Sequence, residues 1–130
     1  YTLSAGYADA YYERACEVRE LVSAELNSKL LLYDALLTPV STSIAPKLST
    51  SLDNPLDMYT GDAMTVNVNL SGLPALVVRG NNVSNSGVSL PVGVQLIGRA
   101  FDETKLLTIG SIYERASYEK FELQQFAAKV

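Results

Sequence analysis

At 130 residues, with 48% apolar and 18% charged side chains, the chain has the composition of an ordinary globular domain, enough for one hydrophobic core. Ten Lys and Arg against fourteen Asp and Glu leave a net charge of −4, the wrong sign for a surface that must neutralise phosphates, so direct nucleic-acid contact is not expected. A single cysteine, Cys16, and no histidine exclude an internal disulfide, a Cys/His zinc site and a Ser/His or Cys/His catalytic couple; no metal site is expected.

The first element expected is a long amphipathic helix over residues 7–32. Tyr11, Ala15, Val18, Val22, Leu26 and Leu30 recur at steps of three and four, Glu13, Arg14, Glu17, Arg19 and Glu20 occupy other faces, and Ser4 is placed to cap the start. Cys16 falls among apolar neighbours on this helix and reads as an inert buried thiol. Ala35, Leu36 and Leu37 form a short apolar run closed by Pro39, the pattern of a buried strand. A loop rich in Ser and Thr with Pro39 and Pro46 follows, where side-chain hydrogen bonds replace a helical ladder.

Asn54-Pro55 with Asp57 is a helix-start signature: Asn caps free amides, Pro suits the first helical position and an acid favours the positive helix end. That helix is expected to run to about Val66. Gly61 weakens it by about 1 kcal/mol relative to Ala, which points to close packing or to a ligand that needs the space. Residues 74–79 and 92–97 are apolar, β-branched runs separated by Gly80-Asn81-Asn82 and a Ser/Gly/Asn stretch, read as two strands of one sheet joined by an exposed loop. Phe101-Asp102-Glu103 opens the last helix, with Asp102 as cap and Leu106, Leu107, Ile109, Ile112, Tyr113 and Ala116 on or beside its apolar face.

No window reaches the roughly 18 uninterrupted apolar residues of a membrane helix, so no membrane contact is expected. No glycines are spaced as a Walker or dinucleotide loop requires, and the scattered acids offer no acid/base pair by spacing alone. Two ordered stretches carry more information. Met58-Tyr59-Thr60-Gly61-Asp62 leads through Asn69-Leu70-Ser71-Gly72-Leu73-Pro74, and Leu90-Pro91-Val92-Gly93-Val94-Gln95-Leu96-Ile97-Gly98 leads into Phe101-Asp102-Glu103.

These stretches resemble the amidase-signature family, in which an Asn-Leu-(Ala/Ser)-Gly-Leu-Pro segment precedes a strand and a Gly-(Leu/Val)-Gln-(Leu/Ile)-Ile-Gly strand leads into Phe-Asp-Glu and the last helix. Asp-Ala-Tyr-Tyr at 9–12, Val18-Arg19, Asn-Pro-Leu-Asp-Met-Tyr at 54–59 and Asp62 resemble one branch of it, the glutaminase A subunits of tRNA-dependent amidotransferases. The resemblance runs over about residues 7–121. Arg79-Gly80-Asn81 departs from the Pro-Cys-Gly usual in the family.

The resemblance implies an α/β fold, a mixed β-sheet flanked by helices, of which residues 1–130 are the C-terminal portion of a single domain. It implies a Ser, cis-Ser, Lys triad in a Gly/Ser-rich segment that does not occur in this sequence; a desolvated neutral lysine takes the role histidine plays elsewhere. Ser84, Ser86 and Ser89 lack the order of that segment, and Lys29, Lys47, Lys105, Lys120 and Lys129 match no catalytic motif, so no catalytic residue is expected. By the same resemblance Asp62 holds the α-amino group of glutamine, a surface acid or local cap being the alternative, and Tyr59 lines the pocket unless it is a core tyrosine. Gln95, centred in an apolar strand, reads as a buried amide satisfying its neighbours.

The function implied is glutamine hydrolysis that supplies ammonia for conversion of Glu-tRNA(Gln) to Gln-tRNA(Gln), the chain alone being inactive. The implied partners are a B subunit, which holds ATP and magnesium, and a small C subunit; this chain carries no cofactor. Val66-Asn67-Val68-Asn69 resembles plastid-lineage members, which implies a plastid or mitochondrion, with the cytoplasm as alternative. The rival readings are another amidase-signature hydrolase of small amides and a non-catalytic assembly module from a split gene.

Overall fold

A computed structural model describes residues 11–46 and 60–127, with side chains through 118. Six elements follow one another: α1 (Glu13–Leu30), β1 (Leu36–Pro39), α2 (Ala63–Ser71), β2 (Ala75–Asn85), β3 (Val88–Ile97) and α3 (Glu103–Ala127). The strands form a sheet in the order β1-β3-β2, so the last strand in sequence is the central one. All its pairings are antiparallel, and a mixed character is not carried by these three strands.

Strand alternation explains how helices cover both faces. Consecutive residues of β3 point to opposite sides. Ile97 packs with Leu30 of α1, Val68 of α2 and Leu73, whereas Leu96 packs with Val78 of β2 and Leu106 of α3. Leu26 and Leu36 extend the first cluster; Leu76, Val94, Ile109 and Tyr113 extend the second.

The expected face of α1 is only partly used. Leu30 is buried and Val22 and Leu26 are half-buried, but Tyr11, Ala15 and Val18 are exposed, so only the C-terminal half of the helix meets the sheet side. Cys16 is half-buried, not the fully buried thiol that its apolar neighbours imply. The expected cap Ser4 and the Asn54-Pro55 helix start lie outside the described residues.

The last turn of α1 is finished by a side chain from across the molecule. The Nε–H of Arg99 donates to the Leu30 carbonyl at 2.7 Å, and Nη2 reaches the Tyr33 carbonyl at 3.5 Å. A guanidinium satisfies carbonyls that have no intrahelical partner and lies at the negative helix end. Arg99→Ala should therefore lower the unfolding free energy by about 1–2 kcal/mol, with Arg99→Lys recovering part of it, read from urea titration of parent and variants side by side.

α2 ends five residues beyond the expected Val66, at Ser71. The stop is Gly72, at φ 67°, a left-handed conformation that glycine adopts without steric cost. The amide of Gly72 donates to the Asn69 carbonyl at 3.3 Å and that of Leu73 to the Val68 carbonyl at 3.4 Å, the paired bonds of a Schellman ending. Leu73 and Val68 then share the first core cluster, the apolar contact that accompanies this motif.

Two strand expectations need correction. The apolar run before Pro39 is not a strand buried on both faces: β1 is an edge strand whose residues alternate half-buried and exposed, and Leu37 points outward. The segment between the two apolar runs is not a loop, because β2 and β3 continue as a hairpin as far as the Asn85–Val88 pair. Ser86 at φ 51° and Gly87 at φ 80° make a two-residue turn with both central residues left-handed, which matches the natural twist of the strands. Gly80-Asn81 marks instead an irregularity in the ladder between the Arg79–Gly93 and Asn82–Pro91 pairs.

On α3 the expected apolar face also narrows. Leu106 and Gly110 are buried with Ile109 and Tyr113 beside them, while Leu107, Ile112 and Ala116 face outward. No described helix is long and apolar enough to cross a membrane.

Candidate functional site

A cleft of about 970 Å³ opens between the end of β1, the middle of β3, the loop after β1 and the turn that enters α2. Leu37, Pro39, Val40, Ile44, Pro91, Val92 and Val94 give it apolar walls, and Thr38, Ser41 and Ser43 contribute hydroxyls. Asp62 is the charged residue among those lining it. Apolar walls with a few polar groups are the usual make-up of a small-molecule site.

The backbone brings Asp62 there because it occupies the position just before α2, at φ −88° and ψ −5°. A carboxylate at a helix start commonly folds back to cap the free amides. Here it makes no such bond. The turn is closed instead by the Asp62 carbonyl, which accepts from the amides of Thr65 and Val66 at 3.0 Å each and from the Thr65 hydroxyl at 3.1 Å. Among the described residues the Asp62 carboxylate has no hydrogen-bond or ion-pair partner, and it is exposed.

Gly61 also lines the cleft. A Cβ built there meets no described atom within 4 Å, so close packing by described neighbours does not account for this glycine. Tyr59, expected in the same pocket, lies outside the described residues.

Gln95 is buried in β3 as expected of a structural amide. Its Nε2 donates to the Thr38 hydroxyl at 3.1 Å and to the Met64 carbonyl at 3.3 Å. The loop after β1 has its own tie, from the Thr42 hydroxyl to the Thr60 carbonyl at 2.9 Å. Sequence reasoning does not single out Thr38 and Thr42, because a Ser/Thr-rich loop gives no signal of which hydroxyl meets which carbonyl. Lys105 is engaged by Asp34 at 3.2 Å and by the half-buried Asp102 at 3.6 Å, and Lys29 by Glu25 at 3.2 Å in an exposed pair. Among the described residues no cluster of acids, cysteine or histidine is arranged to hold a metal ion.

Residues 1–107 match the family model described as Amidase. The chain belongs to the amidase family. Within it, this amidase chain is 51% identical over 115 residues to the Arabidopsis thaliana protein named as the chloroplastic/mitochondrial A subunit of glutamyl-tRNA(Gln) amidotransferase, a match covering 88% of this chain and 21% of that protein. It is 44% identical over 117 residues to the glutamyl-tRNA(Gln) amidotransferase A subunit of Brevibacillus brevis, covering 90% of this chain and 23% of the relative. The crystal structure of the Thermotoga maritima A subunit of the same amidotransferase superposes with a TM-score of 0.68 at 47% identity, over 81% of this chain and 22% of that one. The α/β arrangement is thus that of part of an amidase, and the chain spans about a fifth of the length of the relatives it matches.

Proposed function

We propose that the chain is the C-terminal part, residues 1–130, of a single amidase-signature domain in the glutaminase subunit of a tRNA-dependent amidotransferase, and that it supplies one wall of the glutamine pocket. The observation that carries this reading is the Asp62 carboxylate, unpaired among the described residues, at the cleft of a chain whose relatives are named as the A subunit of that enzyme. An exposed carboxylate without a partner among those residues suits an ammonium ligand, and the glutamine α-amino group is one. Tyr59, three residues before it, is proposed as a further wall of the same pocket.

The nucleophile comes from a Ser, cis-Ser, Lys triad in another part of the domain, since the Gly/Ser-rich segment that holds it in the family does not occur in this sequence. The ammonia released passes to a B subunit, which binds ATP and magnesium and amidates Glu-tRNA(Gln), with a C subunit bracing the pair. The chain's net charge of −4 agrees with this division of labour, which leaves the phosphate chemistry to the partner. The organelle names of the plant relatives support a plastid or mitochondrion as its compartment.

Ammonia release from L-glutamine tests this division. The isolated chain should show no turnover, while the complete amidotransferase should release ammonia at a rate that falls to background when the serine of the Gly/Ser-rich segment is replaced. Turnover by the homogeneous chain, abolished by changing one of its own serines or lysines, would contradict the reading.

A further inference from the structure

The two ends of α2 are anchored differently. The C-terminal end is held by packing, through Val68 and Leu73 against Leu30 and Ile97. At the entrance, no residue from Thr60 to Asn67 is buried, and the Cβ direction of Gly61 is open. Besides the helical bonds accepted by the Asp62 carbonyl, two side chains among the described residues donate to the backbone of that turn. Gln95 Nε2 donates to the Met64 carbonyl at 3.3 Å, and the Thr42 hydroxyl donates to the Thr60 carbonyl at 2.9 Å. The two carbonyls stand two residues before and two residues after Asp62, and the donors come from different elements, β3 and the loop after β1.

From this juxtaposition we infer that Gln95 is a positioning residue for the Asp62 carboxylate, with Thr42 as the second point of the clamp. The inference rests on the reading of Asp62 as the glutamine-ammonium partner. Gln95 is suited to the task by chemistry and by place. It is 3% exposed, so its side chain has little freedom, and its amide nitrogen carries two N–H groups. One goes to the Thr38 hydroxyl at 3.1 Å, on the strand residue that pairs with Gln95 itself, and the other to α2. The helix entrance is thereby registered against the β1–β3 ladder whose residues wall the same cleft. A methionine of similar length fills the space but has no donor, so the turn loses its tie to the sheet while the core stays filled.

The test uses the complete amidotransferase, with L-glutamine as the probe and free ammonia as the control substrate. Gln95→Met should lower kcat/KM for glutamine about tenfold, mostly through KM, because a charged contact that depends on placement is weakened while the reacting groups are untouched. Thr42→Val, on an exposed loop where folding is not at stake, should lower it about threefold in the same way, and Thr42→Ser should restore the parent value because the hydroxyl returns. In the Asp62→Asn background the same substitutions should cost less than about twofold more, since residues that act through one group are not additive. Full additivity in that background, or an equal loss in the ammonia-dependent reaction, overturns the positioning role alone. An Asp62→Asn variant that uses glutamine normally overturns the ammonium reading, and the positioning role with it.

Discussion

Leu30→Ala should lower the unfolding free energy by about 3.5 kcal/mol, the middle of the range for truncating a fully buried leucine. Leu30 is 1% exposed and joins three elements at once, packing on Val68 of α2 and Ile97 of β3 from the end of α1. Its removal opens a cavity where the helices join the sheet, and the neighbours cannot close it without moving α2 against β3, which Gln95 ties together. The same substitution one residue on, at Leu31, should change stability by less than about 0.5 kcal/mol, because Leu31 is 80% exposed. Denaturant midpoints of the two variants against the parent make the comparison. Equal losses at Leu30 and Leu31, or none at Leu30, would contradict the assigned core.

The sequence specifies most clearly what depends on short-range chemistry. Asp102 before Glu103 and the β-branched runs ending at Arg79 and Ile97 each mark an element that the structure contains, whereas the expected end of α2 near Val66 passes over Gly72 as its stop. Where two local rules compete, the expectation fails. The Ser/Gly/Asn composition of residues 80–90 fits a loop, yet cross-strand pairing carries the ladder through Val83 and Ser84, because Ser86-Gly87 supplies a turn of the right twist. Leu37 and Ile112 read as core by hydrophobicity alone; their exposure follows from which face the sheet and helices meet, a property of three-dimensional placement that periodicity within one element does not determine.

The site is readable in part, for a related reason. Asp62 is visible because its neighbours form a motif, and the structure sets it on a cleft with Gly61 beside it. The ties that hold it are not visible in sequence. Gln95 and Met64 are 31 residues apart and Thr42 and Thr60 are 18 apart, and hydrogen bonds over such separations depend on the register Thr38↔Gln95, which is set by the fold as a whole.

Glutamine-dependent and ammonia-dependent amidation should part company in the complete enzyme carrying Asp62→Asn. Asparagine keeps the size and removes the charge, so the bond to the glutamine ammonium loses its ionic component, worth roughly 1.5–3 kcal/mol. The glutamine reaction should fall at least about tenfold, since roughly each 1.36 kcal/mol is one factor of ten. Asp62 is exposed and its carboxylate has no partner among the described residues, so the fold has no reason to change with it. Free ammonia does not use the glutamine pocket, and amidation from ammonia should proceed at the parent rate. A glutamine reaction left intact by Asp62→Asn, or an equal loss from both nitrogen donors, would contradict the claim that this chain contributes the ammonium-binding wall.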